Sequence, residues 1–375
     1  MFTRRRLGQP SRGGLMIAML LALALVAAAC GDDDTATTTG ATTAGTDAAT
    51  TSSSGAVSPS DLYANCPAGE DHGGFIFIES GDGIHNVPYW GAQYFGIGQD
   101  FGLDIANVEF QEGGGASSQI FLGGTGDLWS SGFNSVLNVS GTVPLTVIAV
   151  LTNRVFHKVI AAPGSGIDSL EDLKGKKIGV SGFGSFSWTV TNWALANEVG
   201  FDLDNDVEFV AIGGGSAIVA AIESGNVDAG VVSPPTYDKA IDAGLAVLVH
   251  DYATDDNLGV IPSLSLIART ESVLEDPCKF KAISDTIAEA LRLVRADNDW
   301  AMEVTLDMMG ESVSEEILTD LINTYAGVPG IYTITGEISE EMYENTLKAM
   351  SAVDVYDLSN VASYEDLTMY TPPKP

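Results

Sequence analysis

Residues 181–189 (SGFGSFSWT) combine residue types that could hold a small ligand by its polar atoms. The small side chains let the backbone approach a ligand closely, and Ser185 and Ser187 lie where a helix predicted over residues 187–199 begins. Free backbone N–H groups at a helix start favour anions and hydrogen-bond acceptors. The alternative role for these serines is to cap the helix. We expect ligand contacts at Ser181, Gly184, Ser185, Phe186 and Ser187.

Three further stretches place polar and aromatic side chains after predicted strands. The first is the glycine-rich loop and helix start at residues 80–90 (SGDGIHNVPYW), and the others follow the apolar runs that end near residues 131 and 233. Ligands of open α/β sheets bind outside the carboxyl ends of the strands. The alternative for the aromatic residues is packing within a lobe. The candidates are His85, Tyr89, Trp90, Ser131, Phe133, Asn134, Pro234 and Tyr237.

Two glycine runs raise the question of nucleotide binding. Residues 108–120 read VEFQEGGGASSQI and residues 207–219 read VEFVAIGGGSAIV. Neither run is followed by Lys-Ser or Lys-Thr, and neither has the GxGxxG spacing with a later acidic residue, so both nucleotide motifs are excluded. The sequence contains no CxxC motif, no Cys/His cluster with metal spacing and no defensible Ser-His-Asp arrangement. We therefore expect no cofactor, no metal and no catalytic residue.

The glycine runs instead mark a repeated architecture. Strands alternate with helices over residues 75–151 and again over residues 176–249, which predicts two similar α/β lobes with parallel sheets. In this alignment, residues 126–128 (GDL) correspond to residues 226–228 (NVD). The C-terminal third reads as helices, and residues 278–295 show the apolar spacing of an amphipathic helix.

The charge excludes one class of partner. The formal net charge is -33. A nucleic-acid-binding protein needs Lys and Arg to neutralise phosphates, so we expect no nucleic-acid partner.

The N-terminus has the features of an export signal. Arginines at positions 4–6 precede the apolar residues 15–29, a run shorter than the ~20 residues of a membrane-spanning helix. The run ends in three alanines before Cys30, which resembles a bacterial lipoprotein cleavage site; the alternative is an uncleaved anchor. We expect residues 1–29 to be a lipoprotein signal peptide and Cys30 to be lipidated. Residues 30–60, rich in Gly, Asp, Thr, Ala and Ser, are expected to be a disordered tether.

Two cysteines remain after Cys30 is assigned to the lipid. Exported proteins meet oxidising conditions, so we expect a disulfide between Cys66 and Cys278. The alternative is two buried thiols.

Three stretches carry a family resemblance. They are residues 89–105 (YWGAQYFGIGQDFGLDI), 170–180 (LEDLKGKKIGV) and 222–235 (IESGNVDAGVVSPP). Together they resemble extracytoplasmic solute-binding proteins of ABC importers, of the nitrate, taurine and alkanesulfonate and thiamine-pyrimidine type. The resemblance covers residues 75–269 and is more specific for the fold than for the ligand.

The resemblance implies a two-lobe periplasmic-binding-protein fold of type II, with the ligand cleft between the lobes and a helical C-terminal segment. The first lobe would contain residues 61–156 and 262–375, and the second residues 157–261. The implied protein is a monomeric, lipid-anchored binding protein at the outer face of the membrane that delivers a small molecule to an ABC permease. Alternatives are a ligand sensor of the same fold and an enzyme like the thiamine-pyrimidine synthases, whose cysteine-rich run is absent here.

The composition of the cleft stretches indicates the kind of ligand. They contain many aromatic rings and no Lys or Arg; Arg154, near the expected crossover between the lobes, is the nearest basic residue. Rings form flat walls for planar ligands. We therefore expect an aromatic or neutral ligand rather than a compact dianion, with a monoanionic sulfonate on the helix start as the alternative.

Overall fold

The computed structural model describes residues 59–374 except 68, 80–82, 111, 112, 255, 311, 312, 328 and 329. The expected signal segment, Cys30 and all but the end of the expected tether lie outside the described residues. Within the described residues, no helix is long and apolar enough to span a membrane.

The strands form two five-stranded sheets of the same topology. Their orders are β2-β1-β3-β10-β4 and β7-β6-β8-β5-β9. The ten strands are β1 Gly73–Glu79, β2 Leu103–Phe110, β3 Leu128–Ser131, β4 Leu145–Thr152, β5 Lys158–Ala161, β6 Lys176–Val180, β7 Val207–Ala211, β8 Ala229–Val232, β9 Val247–Asp251 and β10 Leu264–Arg269. The two-lobe α/β fold of type II is thereby confirmed.

The sheets are mixed, so the expectation of parallel sheets is wrong for one strand in each. β10 runs antiparallel to β3 and β4, and β5 runs antiparallel to β8 and β9. These are the two strands on which the chain enters the second lobe and returns to the first. In the first sheet the crossover strand β10 lies between β3 and β4, and in the second sheet the crossover strand β5 lies between β8 and β9.

The repeated sequences occupy equivalent places in the two sheets. β2 and β7 are equivalent strands, each followed by a helix that begins in the glycine run. Asp127 accepts a hydrogen bond from the Ile76 amide at 2.8 Å, and Asp228 accepts one from the Lys177 amide at 2.8 Å. Their own amides donate back to the same two residues. Asp127 therefore corresponds to Asp228, which shifts the expected alignment by one residue.

Helices cover both sheets. They are α1 Pro59–Leu62, α2 Val87–Tyr94, α3 Ile97–Asp100, α4 Gly113–Leu122, α5 Phe133–Ser140, α6 Phe186–Ala194, α7 Gly215–Glu223, α8 Thr236–Asp242, α9 Thr270–Glu275, α10 Pro277–Ala296, α11 Asn298–Met309, α12 Glu315–Ala326, α13 Glu340–Met350 and α14 Tyr364–Thr368. The helix that starts within residues 80–90, α2, is followed by a second short helix, α3, because Gly96 adopts a left-handed φ of 68° between them. α10 buries the predicted apolar face, including Phe280, Ile287 and Leu291.

One hydrophobic core runs through both lobes. It joins Trp129 and Phe133 of the first lobe to Val159 and Ile178 of the second. Met342 of α13 belongs to the same core, and α13 contacts both α5 and α6. The C-terminal segment therefore packs against both lobes and does not only complete the first, as the resemblance had implied.

A disulfide connects the start of the described chain to the C-terminal helices. Cys66 and Cys278 are joined with a Cα–Cα distance of 5.1 Å across a sequence separation of 212. Beside it, the Tyr63 hydroxyl donates to the Tyr370 carbonyl of the C-terminal tail. The N-terminal arm, α10 and the tail are thus fastened together on the first lobe.

Candidate interlobe ligand site

The carboxyl ends of the four parallel strands in each sheet, and the amino ends of the crossover strands β5 and β10, face a common junction between the lobes. The chain crosses this junction at residues 153–157 and again at residues 252–263. The two crossovers are hydrogen-bonded to each other, because the Ile261 amide donates to the Asn153 carbonyl at 2.9 Å and the Ser263 hydroxyl donates to the Arg154 carbonyl. This paired crossing is the arrangement expected of a hinge.

The lobes are in direct contact at two glycines. A Cβ atom at Gly132 would lie 2.8 Å from Cβ of Phe186 in the second lobe. A Cβ atom at Gly83 would lie 3.2 Å from the Pro234 carbonyl oxygen. The cleft is therefore closed, and glycine at position 132 is needed for this closeness.

Aromatic rings form a column across the junction. His85 of the first lobe stacks on Phe156 with centroids 4.8 Å apart, and Phe156 stacks on His157 at 4.7 Å. Phe186 of the second lobe lies 6.0 Å from His157, and Tyr325 of α12 lies 6.1 Å from Phe156. The column gives the junction flat walls suited to planar molecules.

Both histidines of the column are neutral at neutral pH. Burial lowers the pKa of His85 to about 4. Burial, and to a lesser extent the electrostatic effect of His85, lowers the pKa of His157 to about 3. Nδ1 of each ring is inaccessible to solvent and has no hydrogen-bond partner. A ligand could therefore find a neutral donor or acceptor on each ring.

The first sheet adds a row of buried polar atoms at its cleft edge. Ser131 of β3 lies opposite Ser265 of β10, and Thr152 ends the neighbouring strand β4. The three hydroxyl oxygens, and Oδ1 of Asn153, are buried without a hydrogen-bond partner. Buried polar groups without partners are costly, so such a row at a cleft is typical of a binding surface.

The second lobe contributes charged groups beside an aromatic ring. The Lys158 ammonium lies 3.1 Å from Oδ2 of Asp251 and 4.4 Å from the centroid of the Tyr237 ring. Burial raises the pKa of Asp238 to about 6, and its Oδ2 has no hydrogen-bond partner. The cleft stretches themselves contain no Lys or Arg, but β5 brings Lys158 beside Tyr237, so Arg154 is not the nearest basic residue. Arg154, in contrast, pairs with Asp256 at 3.4 Å.

The serines at the start of α6 bond to one another. Ser187 Oγ lies 3.3 Å from Ser181 Oγ and 3.1 Å from Ser185 Oγ. Ser185 also caps α6 by accepting from the Trp188 amide at 3.3 Å. The capping role weighed as the alternative is thus present for Ser185.

Asn134 takes part in a network that links the lobes. Its Nδ2 donates to the Gly184 carbonyl and to Thr189 Oγ1, both at 3.0 Å, and to the Tyr356 hydroxyl at 3.1 Å. The hydroxyl oxygens of Tyr356 and Thr189 lie 2.6 Å from each other. Asn134 and Gly184 therefore hold α5, α6 and the C-terminal segment together.

Three aromatic candidates lie in the hydrophobic cores. Tyr89 is 0% exposed and Trp90 is 2% exposed, both in the core under the first sheet. Phe133 is 0% exposed in the core that runs through both lobes. None of the three belongs to the ring column, and Tyr89 packs on Phe77 at 4.2 Å, so the site proposed below omits them and keeps His85, Phe186, Pro234 and Tyr237.

Sequence reasoning missed several residues of the junction, namely Phe156, His157, Lys158, Asp238 and Tyr325. The stretch at residues 156–158 (FHK) sits at the crossover and could have been found from that position alone. Nothing in the sequence indicates that α12 brings Tyr325 to the second lobe. Among the residues that the structure describes, no group of three or more His, Cys, Asp or Glu side chains could hold a metal.

Comparison with known proteins agrees with this architecture. The family described as NMT1/THI5 like matches residues 87–301. A solved structure from Bordetella bronchiseptica RB50 has 25% identity and a TM-score of 0.65, covering 77% of this chain and 92% of that one. No curated protein matches the sequence.

Two more distant structures share the fold. The alkanesulfonate-binding protein SsuA from Xanthomonas axonopodis pv. citri, bound to MOPS, has 15% identity and a TM-score of 0.64, covering 78% of this chain and 96% of that one. The periplasmic nitrate-binding protein NrtA from Synechocystis PCC 6803 has 14% identity and a TM-score of 0.55, covering 74% of this chain and 76% of that one.

Proposed function

Because the chain belongs to the NMT1/THI5-like family, we propose that it is a non-enzymatic solute-binding protein that closes its two lobes around a small organic molecule. The lobes are residues 61–156 with 262–375, and residues 157–261. The observation that carries the proposal is the junction itself, where stacked rings and buried polar atoms without partners meet from both lobes. Delivery to an ABC permease follows from the family; ligand sensing by the same fold is the second candidate.

The ligand is proposed to have a planar, neutral body. The ring column offers flat surfaces, and its two histidines carry no charge at neutral pH. The serine hydroxyls at the start of α6 already bond to one another. These features favour a planar ring over a small inorganic anion, whose binding would need charged or free N–H donors.

Calorimetric titration tests this proposal. The panel contains planar uncharged heterocycles together with taurine, an alkanesulfonate, nitrate and sulfate. We expect micromolar binding of at least one planar compound, and a loss of at least tenfold in affinity in Gly132→Ala, because the added Cβ holds the lobes apart at Phe186. Gly74→Ala, in β1, where an added Cβ would make only an ordinary contact of 3.6 Å with the Asp104 carbonyl oxygen, is the control for an added methyl group. Binding of the anions alone would replace this proposal with the sulfonate or nitrate alternative.

We also propose that the protein is exported and anchored through a lipid on Cys30, acting as a monomer at the outer face of the membrane. The alanines before Cys30 and the polar segment after it support this assignment. In membrane fractions of cells expressing Cys30→Ala, we expect the protein to leave the membrane or to remain unprocessed. Unchanged membrane association with normal processing would contradict the lipid anchor.

A further inference from the structure

We propose that Asp238 and Tyr325 form a subsite for a positively charged nitrogen group, an ammonium or amidinium, at one end of the ligand. The inference rests on the proposed solute-binding function and specifies the charge of the solute. It concerns the part of the junction beside the crossover at residues 156–158, where Tyr325 of α12 lies 6.1 Å from Phe156 and Tyr237 of α8 lies 4.4 Å from the Lys158 ammonium.

The carboxylates at this place outnumber the cations. Lys158 is committed to Asp251 at 3.1 Å and lies over the Tyr237 ring at 4.4 Å. The positive charge of the same lysine acts to lower the pKa of Asp238, but the buried Oδ2 of Asp238 accepts no hydrogen bond. One ammonium group, that of Lys158, thus lies near two carboxylates, and Oδ2 of Asp238 remains available to accept a hydrogen bond.

Tyr325 is the independent observation that points to a ligand. It is 0% exposed, and its hydroxyl has no hydrogen-bond partner. It belongs to α12 of the first lobe, and its ring lies 6.1 Å from that of Phe156, two residues before the Lys158 whose ammonium lies over Tyr237. Burial raises the pKa of Tyr325, and the charges of Tyr237 and Asp238 add to this, in agreement with that placement. A buried hydroxyl and a buried carboxylate oxygen, supplied by opposite lobes, would both be satisfied by one nitrogen group between them.

The neighbouring rings suit a cation as well. Tyr237 already holds an ammonium over its face, and Tyr325 stands 6.1 Å from Phe156 of the ring column. Aromatic faces attract cations, most strongly where water is excluded. A ligand with its planar body on the column would thus extend its charged end toward Asp238. An anionic end would be repelled by Asp238 and Asp251.

Three probes of one shape test the proposal: benzamidine, which is a cation, neutral benzamide and anionic benzoate. In calorimetry with the purified protein at pH 7.5, we expect benzamidine to bind at least tenfold more tightly than benzoate, with benzamide between them. Asp238→Asn keeps the shape and removes the charge, so the benzamidine-to-benzoate ratio should fall at least tenfold. Asp242→Asn removes the same charge from the exposed side of α8 and should leave the ratio unchanged.

Tyr325→Phe and pH provide further readouts. The variant retains the ring and should weaken benzamide and benzamidine without affecting benzoate. Below pH 6, where Asp238 becomes protonated, wild-type affinity for benzamidine should fall by up to tenfold per pH unit, and Asp238→Asn should lose this dependence. The charged and titratable groups that face Asp238 are Lys158, Asp251 and Asp320, together with the hydroxyls of Tyr237 and Tyr325.

Each contrary outcome is informative. Benzoate binding as tightly as benzamidine, or a ratio unchanged by Asp238→Asn, would overturn the subsite. The subsite would also be overturned if none of the three probes bound while another planar solute or a sulfonate did. That result would leave the proposed solute-binding function intact. If native mass spectrometry and titration detect no solute of any class, the proposed function itself fails.

Discussion

Removing the disulfide by Cys66→Ser with Cys278→Ser should lower the free energy of unfolding by about 5 kcal/mol. The bond closes a loop across a sequence separation of 212, and chain-entropy estimates for a loop of this length reach ~5 kcal/mol because the cross-link restricts the unfolded chain. Urea unfolding followed by circular dichroism, with and without a reductant, measures the difference.

Tyr63→Phe serves as the control for this prediction, because it removes the adjacent hydrogen bond to Tyr370 and leaves the cross-link intact. Its effect should be about 1 kcal/mol. An oxidised wild type that unfolds at the same urea concentration as the double serine variant would show that the disulfide does not stabilise the fold.

Acidification should destabilise the protein through His85 and His157. Their pKa values in the folded protein are about 4 and about 3, whereas an unfolded histidine titrates near 6.5. Between these values the unfolded chain binds more protons, so the free energy of unfolding falls as the pH falls. The two residues together should lower the free energy of unfolding by roughly 4–5 kcal/mol between pH 6.5 and pH 4.5. Asp238, whose folded pKa is raised to about 6, opposes part of this loss.

Urea unfolding at several pH values checks this prediction in the wild type and in His85→Phe with His157→Phe. The phenylalanines preserve stacking on Phe156 and remove both titrations, so the variant should lose most of the pH dependence below pH 6.5. His72→Gln alters a histidine outside the ring column and should retain the wild-type slope. Equal slopes in all three proteins would contradict the assignment.

Local patterns predicted the architecture because the fold repeats them. The VEF strands and the glycine runs are each determined by neighbours within one lobe, whereas the correspondence between Asp127 and Asp228 appears only in the hydrogen bonds of the folded chain. The directions of β5 and β10 were not predictable, because short buried strands such as KVIA have the same composition whichever way they run. Their direction depends on where the crossovers lead the chain.

For the candidate site, the sequence predicted local structure only where a single loop forms it. Ser185 was recognised as lying at a helix start from its immediate sequence, and it caps α6. Tyr325 of α12 is brought to 6.1 Å from Phe156 at the crossover by tertiary packing, a relation that neither local sequence contains. Tyr89 and Trp90 were misleading for the opposite reason, since aromatic residues near a cleft loop fill a core as readily as they face a ligand.

The disulfide also sets the path of mechanical force through the molecule. Tension applied between the N-terminal segment and the C-terminus reaches Cys66 and passes directly into α10 through the bond to Cys278. All ten strands lie between these cysteines, so the covalent path of the load bypasses both sheets. Only after reduction would pulling extend that segment, which would lengthen the chain by roughly 700 Å at ~3.4 Å per residue. The two crossover segments lie between the same cysteines, so the covalent path of the load bypasses the hinge as well.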